Sequence, residues 1–230
     1  MNAKTARLAF RASLPVMAGY LVLGMGFGVL LQDRGYGFFW AFLMSLSIYA
    51  GSLQYASLDL ISGGASLITT ALMTLMINAR HFFYGLSMLG RYQDAGKEKP
   101  YLIFSLTDET YSLMCAPMPE EADPRGYRLL VSVFDQCYWV LGSVIGGLLG
   151  PILPFNTKGM DFAMTALFTV IFVEQWLSSK NHASALLGLG ITAVCLAVLG
   201  PDRFVIPAMV LITLTLAALR RRLEVTGDER

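Results

Sequence analysis

Charged residues are scarce in this sequence. Only 14% of its 230 residues are Asp, Glu, Lys or Arg, while 55% are hydrophobic. A soluble domain carries about 25% charged residues, which cover the surface that meets water. The composition therefore excludes an ordinary soluble domain and predicts an integral membrane protein. The net charge of +1 offers no strong basic surface, so we expect no nucleic-acid partner.

Cysteine and histidine, on which many metal and catalytic sites depend, are also rare. Cys115, Cys137 and Cys195 are scattered through apolar segments without a CxxC pair or the spacing of a zinc site. His81 and His182 belong to no HExxH motif, and the sequence has no GxSxG. An intramembrane enzyme would need a nucleophile with its base, or a set of metal ligands. We therefore predict no enzymatic activity, no catalytic residue, no metal and no cofactor.

Long apolar runs are abundant. They lack the ten-residue alternation of a membrane barrel, and they provide for about seven or eight helices of roughly 20 residues each. The predicted fold is all-α, a polytopic transmembrane helical bundle that forms one domain over residues 1–230. A short basic segment at 1–12 and a charged tail at 220–230 flank the bundle. Basic residues at both ends favour cytoplasmic termini and roughly eight spans, or about seven if one segment is re-entrant.

The apolar run from 38 to 61 is interrupted in its middle. Gly51 and Ser52 stand mid-run, and Gln54 follows them. Glycine loosens a helix, and a broken span exposes backbone groups that transporters use to bind polar substrates at mid-membrane depth. The same residues also suit a continuous helix whose small side chains pack against a neighbour. Both interpretations stay open from these residues.

The segment INARHFFYG, residues 77–85, ends a long apolar run with four polar side chains, Asn78, Arg80, His81 and Tyr84. In a helix, Arg80 and His81 lie four and three residues before Tyr84, so the three share a face. An arginine in so apolar a segment costs a few kcal/mol unless it is paired or reaches water. The segment is therefore either the working centre of the protein or a helix end from which Arg80 reaches the headgroups.

The short apolar stretch at 101–114, YLIFSLTDETYSLM, carries Asp108 and Glu109 at its centre, after Thr107. Two acids in such a segment are costly in lipid, so the stretch should face protein or a cavity. Adjacent side chains of a helix point to different faces, so the two acids should serve different roles. They could pair with Arg80 as a structural ion pair, and a partly hydrated pair could be structural and functional at once.

Two segments with similar glycine spacing suggest two weakly related halves. LGMGFGVLL at 23–31 resembles LGSVIGGLL at 141–149. Gly24 and Gly28 form a GxxxG motif, which lets a second helix approach closely. Two related halves would place a substrate site between them.

Four motifs, in order and spacing, resemble the AzlC family, the large subunits of two-component branched-chain amino acid exporters. They are YAGSLQYASLDL, INARHFFYGLSM, SLTDETYSL and GMDFAMTALF, and the resemblance runs from Ser13 to Leu219. It implies a multi-pass protein of the cytoplasmic (inner) membrane that works with a small AzlD-like subunit. It also implies export of leucine, isoleucine, valine or a similar amino acid such as methionine, driven by the proton-motive force.

The resemblance also implies which positions matter. Its small-residue break falls on residues 50–52, and its aspartate-phenylalanine-alanine motif begins at Asp161, a position that also suits a helix dipole without any further role. The candidate substrate-binding or proton-coupling residues are Gly51, Ser52, Gln54, Asn78, Arg80, His81, Tyr84, Thr107, Asp108, Glu109 and Asp161.

A zwitterionic amino acid needs donors for its carboxylate, acceptors for its ammonium group and an apolar pocket for its side chain. Arg80 could supply the donors, and Asp108 or Glu109 the acceptors, while backbone near Gly51 could contribute to either. His81, with a reference pKa of about 6.5, or one of the acids could carry the coupled proton. The alternative function is a non-transporting membrane subunit that stabilises or regulates a small partner.

Overall fold

The computed structural model describes residues 3–152 and 182–200, together with positions 169, 172, 173, 176, 177, 204, 207, 208, 210–212, 214–216, 218 and 219. These residues are largely helical and contain no strand, so the all-α prediction is confirmed for them. Asp161 and the tail at 220–230 lie outside them. The chain forms two compact units, Met1–Met164 and Thr165–Arg230. The single domain predicted from the sequence stays a prediction.

Eight α-helices have defined bounds among the described residues. In order they are α1 Ala3–Asp33, α2 Phe38–Ser47, α3 Gly51–Ser62, α4 Leu67–Met88, α5 Lys99–Phe104, α6 Asp108–Cys115, α7 Pro124–Leu149 and α8 Ala183–Leu199. A 3₁₀ turn at Gly96–Glu98 precedes α5.

Among the described residues, α1 and α7 are long and apolar enough to cross a membrane. They contain 31 and 26 residues, whereas about 20 are needed to cross a hydrocarbon core of about 30 Å. α2 and α8 are apolar but shorter, with 10 and 17 residues. The number of spans, seven or eight in the sequence analysis, therefore stays a prediction.

The contact between α1 and α7 is the most extensive in the first unit. A side-chain carbon added at Gly24 would lie 2.9 Å from the carbonyl oxygen of Trp139, and one added at Gly142 would lie 2.8 Å from the α1 backbone. Gly28 and Gly146 are closer still to the opposing backbone. Carbon atoms normally stay about 3.5–4.0 Å apart, so the two helices touch because these residues have no side chain. The two glycine motifs of the sequence thus pack against each other.

The chain breaks between α2 and α3. Tyr49 has a φ of 43°, a left-handed conformation that costs energy for a residue other than glycine. Ala50 is extended, and α3 then begins at Gly51. A side-chain carbon at Gly51 would lie 2.9 Å from the indole of Trp139, so this position also requires glycine. The interrupted form of the run is confirmed, and the continuous helix is wrong.

A second break separates α5 from α6. Thr107 is extended, with a ψ of 176°, and its hydroxyl accepts a hydrogen bond from the backbone N–H of Thr110 at 3.2 Å. This cap starts a new helix at Asp108. The single segment predicted over 101–114, with both acids at its centre, is therefore wrong. Asp108 and Glu109 lie in the first turn of α6, where the helix dipole favours negative charge.

The glycine contact between α1 and α7 gives a prediction for stability. We expect Gly28→Ala and Gly146→Ala each to lower the free energy of unfolding by about 1–3 kcal/mol, because the added methyl group overpacks the contact. Gly19, also in α1, has open space around it, so Gly19→Ala should leave stability unchanged or slightly higher. Thermal unfolding of the purified proteins in detergent makes the comparison. Equal melting temperatures for the three variants would contradict the contact.

Candidate functional site

Arg80 of α4 connects the two broken segments. Its guanidinium forms an ion pair with the carboxylate of Asp108 at 2.9 Å and donates a hydrogen bond to the hydroxyl of Ser52 at 2.6 Å. Ser52 is the second residue of α3, and Asp108 is the first residue of α6. The side chains of Arg80 and Asp108 are 27% and 18% exposed. The structure therefore shows Arg80 paired and largely enclosed.

The electrostatics of this region follow from the two helix starts. The first N–H groups of a helix have no partner within the helix and carry a partial positive charge of about half a unit. At the start of α3, Ala50 provides no side-chain cap for these groups. The start of α6 bears Asp108, which neutralises Arg80. Two positive helix ends are thus close to an ion pair of zero net charge.

Tyr84 extends this group of residues. Its hydroxyl donates to the Oδ1 atom of Asp108 at 2.5 Å, and its ring stacks on Tyr111 with 4.3 Å between the centroids. The ring of His81 lies edge-on to Tyr84 at 5.8 Å. His81 Nδ1 and Asn78 Oδ1 are buried without a hydrogen-bond partner. We call Ser52, Arg80, Tyr84 and Asp108 the Arg80 cluster.

Glu109, the second acid of α6, has different partners. The hydroxyl of Tyr20 lies 2.7 Å from the carboxyl group of Glu109 and 2.6 Å from the hydroxyl of Thr107. The hydroxyls of Thr107 and Thr110 are 3.1 Å apart, and Thr110 donates to the carboxyl group of Asp135 at 2.8 Å. The two acids of α6 therefore contact different elements, as adjacent positions on a helix require. We call the hydroxyls of Tyr20, Thr107 and Thr110 the hydroxyl chain.

Gln54 and Gly51 contact the neighbouring helices α2 and α7. The amide of Gln54 donates to the hydroxyl of Ser45 at 3.0 Å and accepts from the indole N–H of Trp139 at 2.8 Å. Ser45 in turn donates to Ser143 at 2.8 Å. Gln54 is fully buried, and both ends of its amide bond to protein. The substrate-binding role suggested for Gln54 stays a prediction.

Tyr20, Asp135 and Trp139 are residues of these networks that the sequence analysis did not select. Asp135 could have been selected from the sequence, because it is an acid in the middle of an apolar segment. A charge there has the same energetic cost in lipid that indicates a role for Arg80. Tyr20 and Trp139 could not have been selected in this way, because an aromatic residue in an apolar helix normally serves packing. Asp161 lies outside the described residues.

Metal-ligating side chains do not cluster in the part of the chain that the structure describes. There, no group of three His, Cys, Asp or Glu side chains could hold a metal ion, and Cys115, Cys137 and Cys195 are free thiols. The absence of a metal or cofactor from the working protein stays a prediction.

Comparison with known proteins identifies relatives along almost the whole chain. Residues 15–153 match the protein family described as AzlC protein. The chain is 42% identical to the branched-chain amino acid transport protein AzlC of Bacillus subtilis, over 95% of this chain and 86% of that protein. It is 43% identical to an uncharacterized membrane protein of Haemophilus influenzae, over 96% and 93% of the two chains. It is 27% identical to the inner membrane protein YgaZ of Escherichia coli, over 86% and 82%. No solved structure matches the chain.

The contacts of Gln54 predict that this residue serves the fold. Gln54→Leu would leave the indole N–H of Trp139 without its acceptor and the hydroxyl of Ser45 without one donor, so we expect a loss of about 1–3 kcal/mol in the free energy of unfolding. Gln93→Leu, at an exposed position after α4, is the matched control and should be neutral. Thermal unfolding in detergent measures both variants. An unchanged melting temperature for Gln54→Leu would contradict the structural role.

Proposed function

The chain belongs to the AzlC family, and on that premise we propose that it is the large subunit of a secondary transporter. It exports branched-chain or similar apolar amino acids across the cytoplasmic (inner) membrane, as a multi-pass protein driven by the proton-motive force. The name of the Bacillus subtilis relative, a branched-chain amino acid transport protein, supports the substrate class. The ion pair of the Arg80 cluster is the observation that carries the proposal.

This ion pair offers one partner for each charge of an amino acid. A substrate carboxylate takes the place of Asp108 on Arg80, and the substrate ammonium group takes the place of Arg80 on Asp108. Each charge of the pair then keeps an opposite partner, so binding leaves no buried charge alone. A lone buried charge would cost about 3–5 kcal/mol. A zwitterion is therefore better suited to the cluster than a simple cation or anion.

The surroundings of the ion pair support the same class of substrate. The starts of α3 and α6 add positive partial charge where the carboxylate would lie, and broken helices in transporters present such N-termini to substrate carboxylates. The stacked rings of Tyr84 and Tyr111 lie beside the pair. Their faces provide an apolar surface for an uncharged side chain.

The driving force follows from the charge of the substrate. A branched-chain amino acid carries no net charge at neutral pH, so the membrane potential alone does not drive its export. Exchange for a proton supplies the driving force. His81, Asp108 and Glu109 are titratable groups in or next to the Arg80 cluster, and each is a candidate for binding that proton.

The outer surface of α4 supports a place in the bilayer and beside a partner. Its large apolar side chains Leu67, Ile68, Leu75, Phe82 and Phe83 are 60–88% exposed. Such a surface suits lipid or a second apolar protein. We propose that a small AzlD-like membrane subunit completes the transporter. The alternative is that this chain transports nothing itself and stabilises or regulates that small subunit.

Removal of the charges of the Arg80 cluster should abolish export. We expect Arg80→Ala and Asp108→Asn each to lower leucine efflux from preloaded proteoliposomes by about tenfold or more. A bond to a charged group contributes about 1.5–3 kcal/mol, which corresponds to such a change. Efflux is measured with this chain alone and together with a small four-span partner, and the abundance of each variant in the membrane is determined in parallel.

Two controls separate transport from stability. Arg34→Ala removes a more exposed arginine–aspartate ion pair, formed with Asp59 at 3.2 Å, and should leave efflux unchanged. The double variant Arg80→Gln with Asp108→Asn removes both charges together, which avoids an unpaired buried charge; it should be present in the membrane and inactive. Normal efflux from the single variants would refute the role of the cluster. Efflux that requires only the small partner would favour the non-transporting alternative.

A further inference from the structure

Glu109 and Asp135 stand at the two ends of the hydroxyl chain. We infer that these two acids share one proton, which the hydroxyl chain passes between them. Hydrogen-bond geometry supports the inference of a shared proton, whereas the use of this proton in export rests on the proposed function. Glu109 was a candidate from the sequence, and the structure adds Asp135 and the path that links them.

The groups form an unbroken series of oxygen–oxygen contacts. From Glu109 to Asp135 the successive distances are 2.7, 2.6, 3.1 and 2.8 Å. Hydrogen bonds between oxygen atoms span roughly 2.5–3.0 Å, so three contacts lie in this range and the fourth just beyond it. The three residues of the hydroxyl chain and Asp135 are only 0–7% exposed. Bulk water therefore does not complete the bonding of these oxygens.

The number of hydrogens decides the protonation of the two acids. Four contacts need four hydrogens, and the three hydroxyls supply three. The backbone N–H of Thr110 also donates to Thr107, but it adds no hydrogen between two side-chain oxygens. With both acids ionised, one of the four oxygen–oxygen contacts would have no hydrogen between its two oxygens, which is unfavourable. With both protonated, five hydrogens would compete for four contacts. A single proton on the pair satisfies every contact.

Two arrangements of this proton are possible. In the first, Glu109 is protonated and donates to Tyr20, and each hydroxyl donates to the next. The last hydroxyl, that of Thr110, donates to ionised Asp135. In the second, Asp135 is protonated and every hydrogen bond runs the other way. The first becomes the second when an O–H bond breaks at Glu109, one hydrogen shifts along each hydroxyl, and an O–H bond forms at Asp135.

The two ends of the path differ in their surroundings. Glu109 is partly exposed and follows Asp108 of the Arg80 cluster, whereas Asp135 is fully buried in α7. At this end the Oδ1 atom of Asp135 is buried without a hydrogen-bond partner. Among the described residues, the other charged or titratable groups near the two acids are Arg80, Tyr84, Asp108, Tyr49, Tyr101, Tyr127 and Tyr138.

Adjacent residues link the proton path to the substrate site. Asp108 bonds to Arg80, and Glu109 bonds to the hydroxyl chain. A substrate that separates Asp108 from Arg80 changes the electric field at Glu109. Under the proposed function, substrate binding and proton position are therefore coupled across one peptide bond.

Infrared spectroscopy tests the shared proton without any transport. At neutral pH the wild-type protein should show the C=O band of about one protonated carboxyl group per chain, and the band should shift in D₂O. Glu109→Gln and Asp135→Asn should each lose it, because the new amide supplies the fourth hydrogen and the remaining acid ionises. Absence of the band from the wild type, or its persistence in either single variant, would overturn the inference.

Transport assays test the path. Tyr20→Phe and Thr110→Val each remove one hydroxyl, and we expect both to lose leucine-driven proton movement and net export in proteoliposomes. Exchange of labelled for unlabelled leucine should persist, since exchange needs no net proton transfer. Thr110→Ser restores the hydroxyl and should restore proton movement. Tyr55→Phe is the matched control, because the buried Tyr55 hydroxyl donates to the Leu23 carbonyl oxygen at 2.6 Å, outside the path.

The outcomes separate the proton path from the proposed function. Wild-type protein that moves no leucine would refute the transport function, and the infrared result would still decide the shared proton. Active wild-type protein with normal proton movement in both hydroxyl variants would refute the path. The path would also be refuted if both hydroxyl variants lost leucine exchange as well as proton movement, and if Thr110→Ser restored neither activity. Such a result would mean that these residues serve the fold.

Discussion

A largely enclosed guanidinium placed beside two helix starts is the constraint on which the site depends. Arg80 adds a positive charge where the starts of α3 and α6 already present positive partial charge. The carboxylate of Asp108, 2.9 Å away, makes this arrangement tolerable, and Ser52 satisfies a second amino group of the guanidinium. Both partners are available because two segments break where they do. The breaks and the arginine therefore require each other: an unbroken helix would carry one partner away, and the loss of Arg80 would leave Asp108 without its cation.

The glycine contact between α1 and α7 sets the geometry of the second network. Tyr20 lies on α1 and Asp135 on α7, and a side-chain carbon at Gly142 would lie 2.9 Å from the Tyr20 carbonyl oxygen. The close approach of the two backbones leaves a gap that the short side chains of Thr107 and Thr110 can bridge. A wider helix separation would break the series of hydroxyl contacts. The glycines that bring α1 and α7 together thus also determine that Tyr20 and Asp135 lie close enough for the hydroxyl chain to connect them.

Much of this arrangement could be predicted from local sequence features, and the rest could not. The cost of a charge in an apolar segment led to Arg80 and its pairing with an acid, and the small residues near Gly51 indicated the first break. The second break has no glycine or proline signal; it depends on the cap formed by Thr107, which only the folded backbone reveals. The contact of Tyr20 with Glu109 joins residues far apart in the chain, and no local pattern encodes it.

The different roles of two adjacent acids follow from their partners. Successive residues of a helix are turned by about 100°, so a helix that begins at Asp108 directs its first two carboxyl groups to different neighbours. The carboxylate of Asp108 meets the guanidinium of Arg80, a permanent cation that only donates hydrogen bonds. The side chain of Glu109 instead meets a hydroxyl, which can donate a hydrogen or accept one. Such a partner is compatible with both protonation states, so the position of the break gives one acid an ionic partner and gives the next a hydroxyl partner, which suits the proton transfer proposed above.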